Sequence, residues 1–284
     1  PGWDHIEIVD YFEKKTGVKT YLQNDANACA VAEWKFGAGR DPETGKCVDN
    51  MIFCTFGTGL GAGLILNGRL YSGTSDMAGE VGHLRLVPAD SEAKLPIGYG
   101  KRGSAEGFCS GGGIARLGKK MAEDAVKSGI HPSYLDGEIS AKSIALAAED
   151  GDETAKEVYR TSGRYLGRGL SLIIDILNPE RIIIGGVYRR SGHLMWESAK
   201  EEIEKEALGE AAHCCLVVPA ELGEEIKKRG LHIVTYSGYT FEQIMSGIEA
   251  GKPGWKELLS VTDILVDGRF ILGERSLNLL FRGS

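Results

Sequence analysis

The chain has 284 residues, 42% of them apolar, which is enough for one large domain or two ordinary ones with a real hydrophobic core. Forty acidic residues against 33 basic ones give a formal net charge of -7, which argues against a nucleic-acid binder. No apolar stretch approaches the roughly 18 residues of a membrane-spanning helix and no signal peptide is recognisable, so we expect a cytoplasmic protein without membrane partners.

Up to about residue 222 the pattern predicts helices and strands in regular α/β alternation. Asn67-Gly68 predicts a tight hairpin turn, and the glycine-rich residues 72–110 predict an irregular pocket loop. The predicted strands cover residues 18–22, 51–56, 62–66, 69–71, 181–184 and 215–218, and the predicted helices cover 5–15, 24–36, 113–125, 140–148, 154–177 and 193–208.

The cysteines favour free thiols, because none forms a Cys-x-x-Cys pair and Cys29 and Cys54 lie in apolar sequence contexts. Reduced, buried thiols in a cytoplasmic protein are the expectation. The six are Cys29, Cys47, Cys54, Cys109, Cys214 and Cys215.

Asn24 and Asp25 stand where a predicted strand meets a predicted helix. A helix cap by itself explains an Asn or Asp at this place. A carboxylate at a strand end beside a phosphate loop can also act as general base on a hydroxyl.

The run Gly57-Thr58-Gly59 opens a glycine-rich turn after an apolar strand, and Gly185-Gly186 follows a second apolar strand. Backbone N–H groups and the Thr58 hydroxyl can converge on an anion. The glycine pair can let the backbone approach a nucleotide at the carboxyl end of a parallel strand. A plain hairpin and a plain loop are the alternatives.

Glu80, His83 and Glu106 lie within fewer than 30 glycine-rich residues. Carboxylates and imidazole accept from and donate to vicinal hydroxyls at fixed geometry, so the cluster indicates a sugar-type pocket. Ordinary surface positions would explain each residue taken singly.

At these residues the chain resembles the ROK family of sugar kinases and related repressors. The resemblance covers residues 1 to about 222 and implies the actin-like ATPase (ribonuclease H-like) α/β fold, in incomplete form. Its motifs follow the family's order: Gln23 to Asn27, Gly57 to Gly59, Gly79 to His83, Asn178 to Glu180, and Gly185-Gly186.

The resemblance implies ATP with Mg²⁺ as cofactor, a sugar and a nucleotide as partners, and a homodimer. Asp25 would be the general base on the sugar hydroxyl. The sugar would be held by Asn24, Glu80, His83 and Glu106, and the nucleotide by Gly57, Thr58, Gly59, Gly185 and Gly186.

Two departures from the family qualify this assignment. Members usually carry a zinc site of one His and three Cys, whereas Ile97, Tyr99 and Ser104 stand at the cysteine positions here, so we expect no zinc. The family also begins with a strand and an Asp-x-Gly-Gly-Thr phosphate turn. This chain starts about 25 residues before Asp25, so we expect that lobe to be lacking and turnover to be impaired.

The last 60 or so residues resemble a different family, the activating protein of anaerobic ribonucleotide reductase, a radical-SAM enzyme. The similar stretches are 230–242, 263–270 and 276–284. Its CxxxCxxC motif is absent from the chain, so we expect no iron–sulfur cluster. The predicted elements here are helices over 224–229, 241–248 and 255–259 and strands over 231–236 and 263–266.

We therefore interpret the chain as a chimera of two incomplete proteins, with a kinase-like region over 1–222 and a second fragment over 223–284. The expected function is an ATP-dependent kinase of a hexose or amino-hexose, glucokinase-like and impaired as a fragment. A sugar-sensing repressor and a radical-SAM activase fragment are the alternatives.

Overall fold

The computed structural model of the protein describes residues 7–88, 97–98, 100–221, 234–236, 240–250, 259 and 264–266. The chain forms two compact units, the first made of Pro1–Lys35 and Gly39–Ala220 and the second of Phe36–Ala38 and Glu221–Ser284. The predicted helix over 224–229, and the predicted helix over 255–259 apart from its last residue, lie outside the described residues.

The elements alternate along the chain as an α/β protein should. The strands are β1 (Met51–Phe56), β2 (Leu60–Leu66), β3 (Arg69–Tyr71), β4 (Ile97–Gly98), β5 (Lys101–Arg102), β6 (Arg181–Ile184), β7 (Leu216–Pro219), β8 (Val234–Tyr236) and β9 (Ile264–Val266). The helices are α1 (Ile8–Thr16), α2 (Asp25–Phe36), α3 (Ala105–Cys109), α4 (Gly111–Lys127), α5 (Ala141–Glu149), α6 (Glu153–Leu177), α7 (Val187–Ser191), α8 (Trp196–Glu206), α9 (Gly209–Cys214) and α10 (Phe241–Glu249). Short 3₁₀ helices cover Val81–His83, Ser133–Asp136 and Gly192–Leu194.

The core of the first unit is a five-stranded sheet in the order β3-β2-β1-β6-β7. β1 and β6 lie in its middle and are almost continuously apolar, because each has neighbours on both sides and both faces are covered. β6 runs parallel to β1 and to β7, whereas β2 runs antiparallel to β1 and to β3.

The predicted hairpin between β2 and β3 is confirmed. Asn67 has φ 51° and Gly68 has φ 67°. Two consecutive positive φ angles are those of a type I′ turn, whose twist matches antiparallel strands and which Asn-Gly favours. This turn returns β3 along β2 with Leu64 opposite Tyr71.

The second unit has a parallel pair of strands, β8 and β9, with Val234 opposite Ile264 and Tyr236 opposite Val266. Its helix α10 begins with a capping box, in which the Thr240 side chain accepts from the Gln243 N–H and the Gln243 side chain accepts from the Thr240 N–H. Ile244 on the same helix is buried.

The strand predicted over residues 18–22 is wrong. The segment has no paired strand among the described residues, and Val18, Tyr21 and Leu22 are all strongly exposed. The Thr20 N–H donates to Glu13 Oε1 at 2.9 Å instead of to a neighbouring strand. An apolar alternation forms a strand only where a sheet edge accepts its hydrogen bonds.

The helix predicted over residues 193–208 is confirmed for its main part, since α8 spans Trp196–Glu206; a 3₁₀ helix over Gly192–Leu194 precedes it, and the short helix α7 before that was not predicted. Gly192 sits under the Tyr188 ring, where a Cβ would lie 3.2 Å from ring atoms. The predicted irregular region contains a 3₁₀ turn, the β4–β5 hairpin and α3.

Helix α6 packs closely against α8 at two glycines one turn apart. A Cβ at Gly163 would overlap the Met195 carbonyl oxygen, and one at Gly167 would overlap the Ala199 carbonyl oxygen. The contact is completed by Arg168, whose Nε donates to the buried Glu202 carboxylate at 2.5 Å. Within the described parts of the chain, no helix, α6 included, is both long enough and apolar enough to cross a membrane.

Because backbone from α8 fills the space above these glycines, Gly163→Ala and Gly167→Ala should each lower the free energy of unfolding by about 1–3 kcal/mol. Gly169 is the matched control on the same helix, since the nearest atom to its added methyl would be Leu86 Cδ1 at 3.9 Å. Gly169→Ala should raise stability by about 0.5–1 kcal/mol through helix propensity. Urea unfolding followed by circular dichroism measures all three, and equal effects at the three sites would contradict the packing described.

Candidate functional site

Three glycine segments meet at the carboxyl end of β1. The Gly57 N–H donates to Gly59 O at 3.0 Å, and the Gly111 N–H at the start of α4 donates to Gly57 O at 2.8 Å. Gly186, at φ 66°, lies so close that a Cβ would overlap Phe56 O and come within 3.3 Å of the Gly57 nitrogen. The structure therefore brings the predicted turn 57–59 and the predicted pair Gly185-Gly186 together.

The third segment, Gly111-Gly112-Gly113, was missed by the sequence analysis. Ser110 caps α4 by accepting from the Gly113 N–H at 2.9 Å, and a Cβ at Gly112 would lie 3.5 Å from Thr58 O. The N-terminus of this 17-residue helix thus adjoins the Thr58 turn, and its dipole favours an anion there. A Ser-Gly-Gly-Gly run before a helical pattern was the available signal.

Glu106, half-buried in α3, lies directly against the glycine turn. Its Oε2 accepts from the Leu60 N–H at 3.2 Å and would be 2.8 Å from a Cβ at Gly59. Gly82 and Gly98 lie beside the Cβ of Glu106. A Cβ added at Gly82 would be 3.3 Å from that atom, and one added at Gly98 would be 2.7 Å from it. The Glu106 carboxylate therefore lies next to a turn suited to binding an anion.

Glu80 and His83 flank the 3₁₀ turn and are exposed. The segment 79–83 packs directly against β2. Gly79, at φ 95°, lies so close to the Ala62 carbonyl that a Cβ would overlap it, and the Gly79 carbonyl accepts from the Ala62 N–H at 2.7 Å. The same contact places Gly82 beside Glu106.

Two cationic side chains tie this segment to the β4–β5 hairpin. Lys101 Nζ donates to His83 O at 2.6 Å, and an Arg85 guanidinium N–H donates to Arg102 O at 2.7 Å. A further backbone bond joins the Leu86 N–H to Gly103 O at 2.8 Å. The loop that carries His83 is therefore held at several points.

Asn24 and Asp25 reach this region through β2. Helix α2 packs on that strand at Gly63, where a Cβ would lie 2.5 Å from Ala26 O. Asn24 caps α2 by accepting from the Asn27 N–H at 3.2 Å, and Asp25 Oδ1 accepts from the Ala26 N–H at 2.8 Å. Both side chains are exposed, so the cap that the sequence left as an alternative is present and the Asp25 carboxylate is accessible.

A small cavity lies next to this region, since Leu60 and Val81 are among the residues that line it. It measures about 20 Å³, room for a single water, and Cys54, Cys109 and Tyr165 are among the residues that line it. Burial raises the pKa of the Cys54 thiol to about 12 and also raises that of Cys109. These thiols are therefore protonated at neutral pH and unreactive. Cys29 and Cys214, by contrast, are exposed, and Cys47 and Cys215 are half-buried, so the expectation of buried thiols is correct only for Cys54 and Cys109.

Comparison with known proteins places the chain in a family: the sequence model described as "ROK family" matches residues 1–235, and the chain belongs to that family. The glucokinase of Halalkalibacterium halodurans is 32% identical over 225 residues, which are 79% of this chain and 66% of that protein. This chain therefore spans slightly less than two thirds of that glucokinase.

Solved structures agree with this placement. A ROK family glucokinase from Streptomyces griseus, in complex with glucose and AMPPNP, has a TM-score of 0.64 and 32% identity, covering 78% of this chain and 70% of its own. A ROK family transcriptional regulator, a homolog of the E. coli MLC protein, has the same TM-score at 28% identity, covering 77% and 52%. The predicted ROK-type actin-like fold is confirmed.

A second sequence model, described as a 4Fe-4S single cluster domain, matches residues 208–284. This finding opposes the expectation of no iron–sulfur cluster. The matched stretch contains two cysteines, Cys214 and the adjacent Cys215, whereas such clusters are held by four thiolates. Burial, with Cys214 adding to it, raises the pKa of Cys215 to about 12. The donor set does not fit a cluster, and its absence stays a prediction.

The zinc positions of the family do not fit the metal either. Ser104 is fully buried, donates to Gly98 O at 3.3 Å and accepts from the Gly107 N–H at 3.2 Å as the cap of α3. Ile97 offers only an aliphatic side chain, and Tyr99 lies outside the described residues. No group of three or more His, Cys, Asp or Glu side chains suited to a metal occurs in the part of the chain that the structure describes.

Protein purified without added metal should contain well below one equivalent of zinc, because the thiolates that zinc needs are replaced. Elemental analysis of wild type and of His83→Ala measures this, and the two should give the same low content. Stoichiometric zinc that is lost in His83→Ala would contradict the assignment.

Anaerobic reconstitution with iron and sulfide should leave no iron–sulfur absorbance after desalting, since two adjacent cysteines cannot supply four ligands. A Cys214→Ala, Cys215→Ala double variant is the control for adventitious iron. Absorbance that survives desalting in the wild type and disappears in the double variant would establish a cluster and refute this prediction.

Proposed function

We propose that the first unit is the body of a ROK-type sugar kinase, which transfers the γ-phosphoryl group of Mg-ATP to a hydroxyl of a hexose or amino-hexose. One observation carries the proposal: the Glu106 carboxylate lies against the glycine turn at Gly59. Hydroxyl recognition and phosphate recognition are thereby adjacent, as in-line transfer requires. The similarity to glucokinases supports it.

The roles divide by chemistry. Asn24, Glu80, His83 and Glu106 hold sugar hydroxyls. Thr58 and Gly59 hold phosphate oxygens through backbone N–H groups and the Thr58 hydroxyl, with the α4 N-terminus behind them. Gly57, whose own N–H donates to Gly59 O, keeps the turn in shape for the phosphate. Gly185-Gly186 adjoins the nucleotide. Mg²⁺, which would arrive bound to ATP, would neutralise part of the phosphate charge.

Asp25 acts as the general base. Its Oδ1 is engaged by the Ala26 N–H, which leaves Oδ2 for the substrate. The sugar O–H proton passes to Oδ2 as the sugar oxygen bonds to the γ-phosphorus. The bond from that phosphorus to the β,γ-bridging oxygen breaks, and ADP leaves with the electron pair.

Asp25→Asn should leave sugar affinity within a few-fold of wild type and lower phosphoryl transfer about 10²–10⁴-fold, because the base is lost while its size is kept. Calorimetric titration with glucose, N-acetylglucosamine and N-acetylmannosamine measures binding, and single-turnover transfer from labelled ATP measures chemistry. Asp10→Asn, on the exposed face of α1, is the matched control. Binding of none of these sugars, or transfer unaffected in Asp25→Asn, would overturn the assignment.

A sugar-sensing regulator is the second candidate, favoured by the equal TM-score to a ROK transcriptional regulator. Its signature is sugar binding without transfer at saturating Mg-ATP. Transfer from Mg-ATP would therefore exclude the regulator, whereas sugar binding without transfer favours the regulator or an inactive kinase fragment.

We infer that residues 223–284 derive from a radical-SAM activating protein of the anaerobic ribonucleotide reductase type and have lost its cluster motif. The 4Fe-4S domain match over 208–284 supports this origin. The junction is best placed after β7, since Leu216–Pro219 pairs with β6 in the sheet of the first unit. With this boundary the kinase-like region covers residues 1–222, and we propose that it forms a homodimer.

A further inference from the structure

The side chain of Gln23 joins two groups at the start of α2. Its Oε1 accepts from the Asn24 backbone N–H at 2.8 Å and from Asn27 Nδ2 at 3.3 Å. A backbone N–H can only donate, so the Gln23 atom that faces it must be the oxygen. That oxygen in turn requires the amino nitrogen of Asn27 on its other side. The hydrogen-bond pattern therefore defines the orientation of both amides.

The same reasoning defines the amide of Asn24. Its Oδ1 accepts from the Asn27 backbone N–H at 3.2 Å, and the reverse orientation would set two donors against each other. The Asn24 Nδ2 therefore points away from the helix, and the residue is exposed. Beside it, Asp25 has Oδ2 available because Oδ1 accepts from the Ala26 N–H. A ligand at this place meets one amide donor and one carboxylate acceptor.

Asn27 occupies an unfavourable environment for a polar side chain. It is 2% exposed, and its Oδ1 is buried without a hydrogen-bond partner in the described structure. A buried carbonyl without a donor lowers stability, and an apolar side chain of the same size would avoid that cost. What an asparagine adds here is the Nδ2 bond to Gln23 and, through it, the order of the Asn24 segment.

We propose that Gln23 and Asn27 are positioning residues that fix the Asn24 amide, so that Nδ2 donates to the oxygen of the sugar hydroxyl whose proton Asp25 accepts. This rests on the proposed function. It also defines specificity, because the hydroxyl must accept from Asn24 and donate to Asp25 at once. A sugar that carries fluorine in place of that hydroxyl can do only the first.

The test uses the full chain and a matched pair of variants at an exposed position. Gln23→Met keeps the length and removes the acceptor, whereas Gln23→Glu keeps the acceptor. With the sugar that binds the wild type, Gln23→Met should raise Kd about 10-fold at an unchanged melting temperature, the order expected for one misplaced hydrogen bond. Gln23→Glu should restore Kd to within about 2-fold of wild type.

Asn24→Asp is the second variant, because a carboxylate still caps α2 but has no N–H to donate. It should keep the melting temperature and raise Kd at least about 10-fold. Absence of sugar binding by the wild type would refute the proposed function itself. Wild-type binding with an unchanged Kd in Gln23→Met or in Asn24→Asp would overturn the positioning proposal alone.

Discussion

Strand β2 is the element on which the candidate site depends, because backbone from two other parts of the chain lies directly against it. Helix α2 contacts it at Gly63, and the segment 79–83 contacts it at Ala62 and Leu60. Each contact is close enough that the glycine involved could not carry a methyl group. Backbone contacts of this kind leave little freedom to shift, so residues from distant parts of the sequence are held at fixed separations.

The position of Glu106 follows from that packing and has an electrostatic consequence. A half-buried carboxylate next to a turn suited to phosphate would be repelled by the phosphate if nothing lay between them. The Leu60 N–H offsets part of this charge, and hydroxyl donors of a sugar would offset more. Under the proposed function, this arrangement favours a sugar and a phosphate together over a phosphate by itself.

The overlap of the two family matches is resolved by the sheet. Residues 208–235 belong to both matches, yet Leu216–Pro219 is hydrogen-bonded to β6 with Val217 opposite Ile182. Because parallel pairing of β7 completes the sheet of the first unit, these residues serve the ROK body structurally. The two cysteines in the second match precede this strand, which separates them from the rest of that fragment.

The features that follow from local rules could be predicted from the sequence. The buried strands β1 and β6 follow from continuous apolar runs, the β2–β3 turn from Asn67-Gly68, and most of α6 from its helical period. The motif residues were also found from the sequence. How the motif residues are arranged in space, however, depends on tertiary packing. Residues 18–22 pair with no strand among the described residues, although their local pattern is that of a strand. The contact of Glu106 with Gly59 and the approach of Gly111–Gly113 to Thr58 depend on how α3 and α4 pack against the end of β1. That packing is set by long-range contacts and not by spacing along the chain.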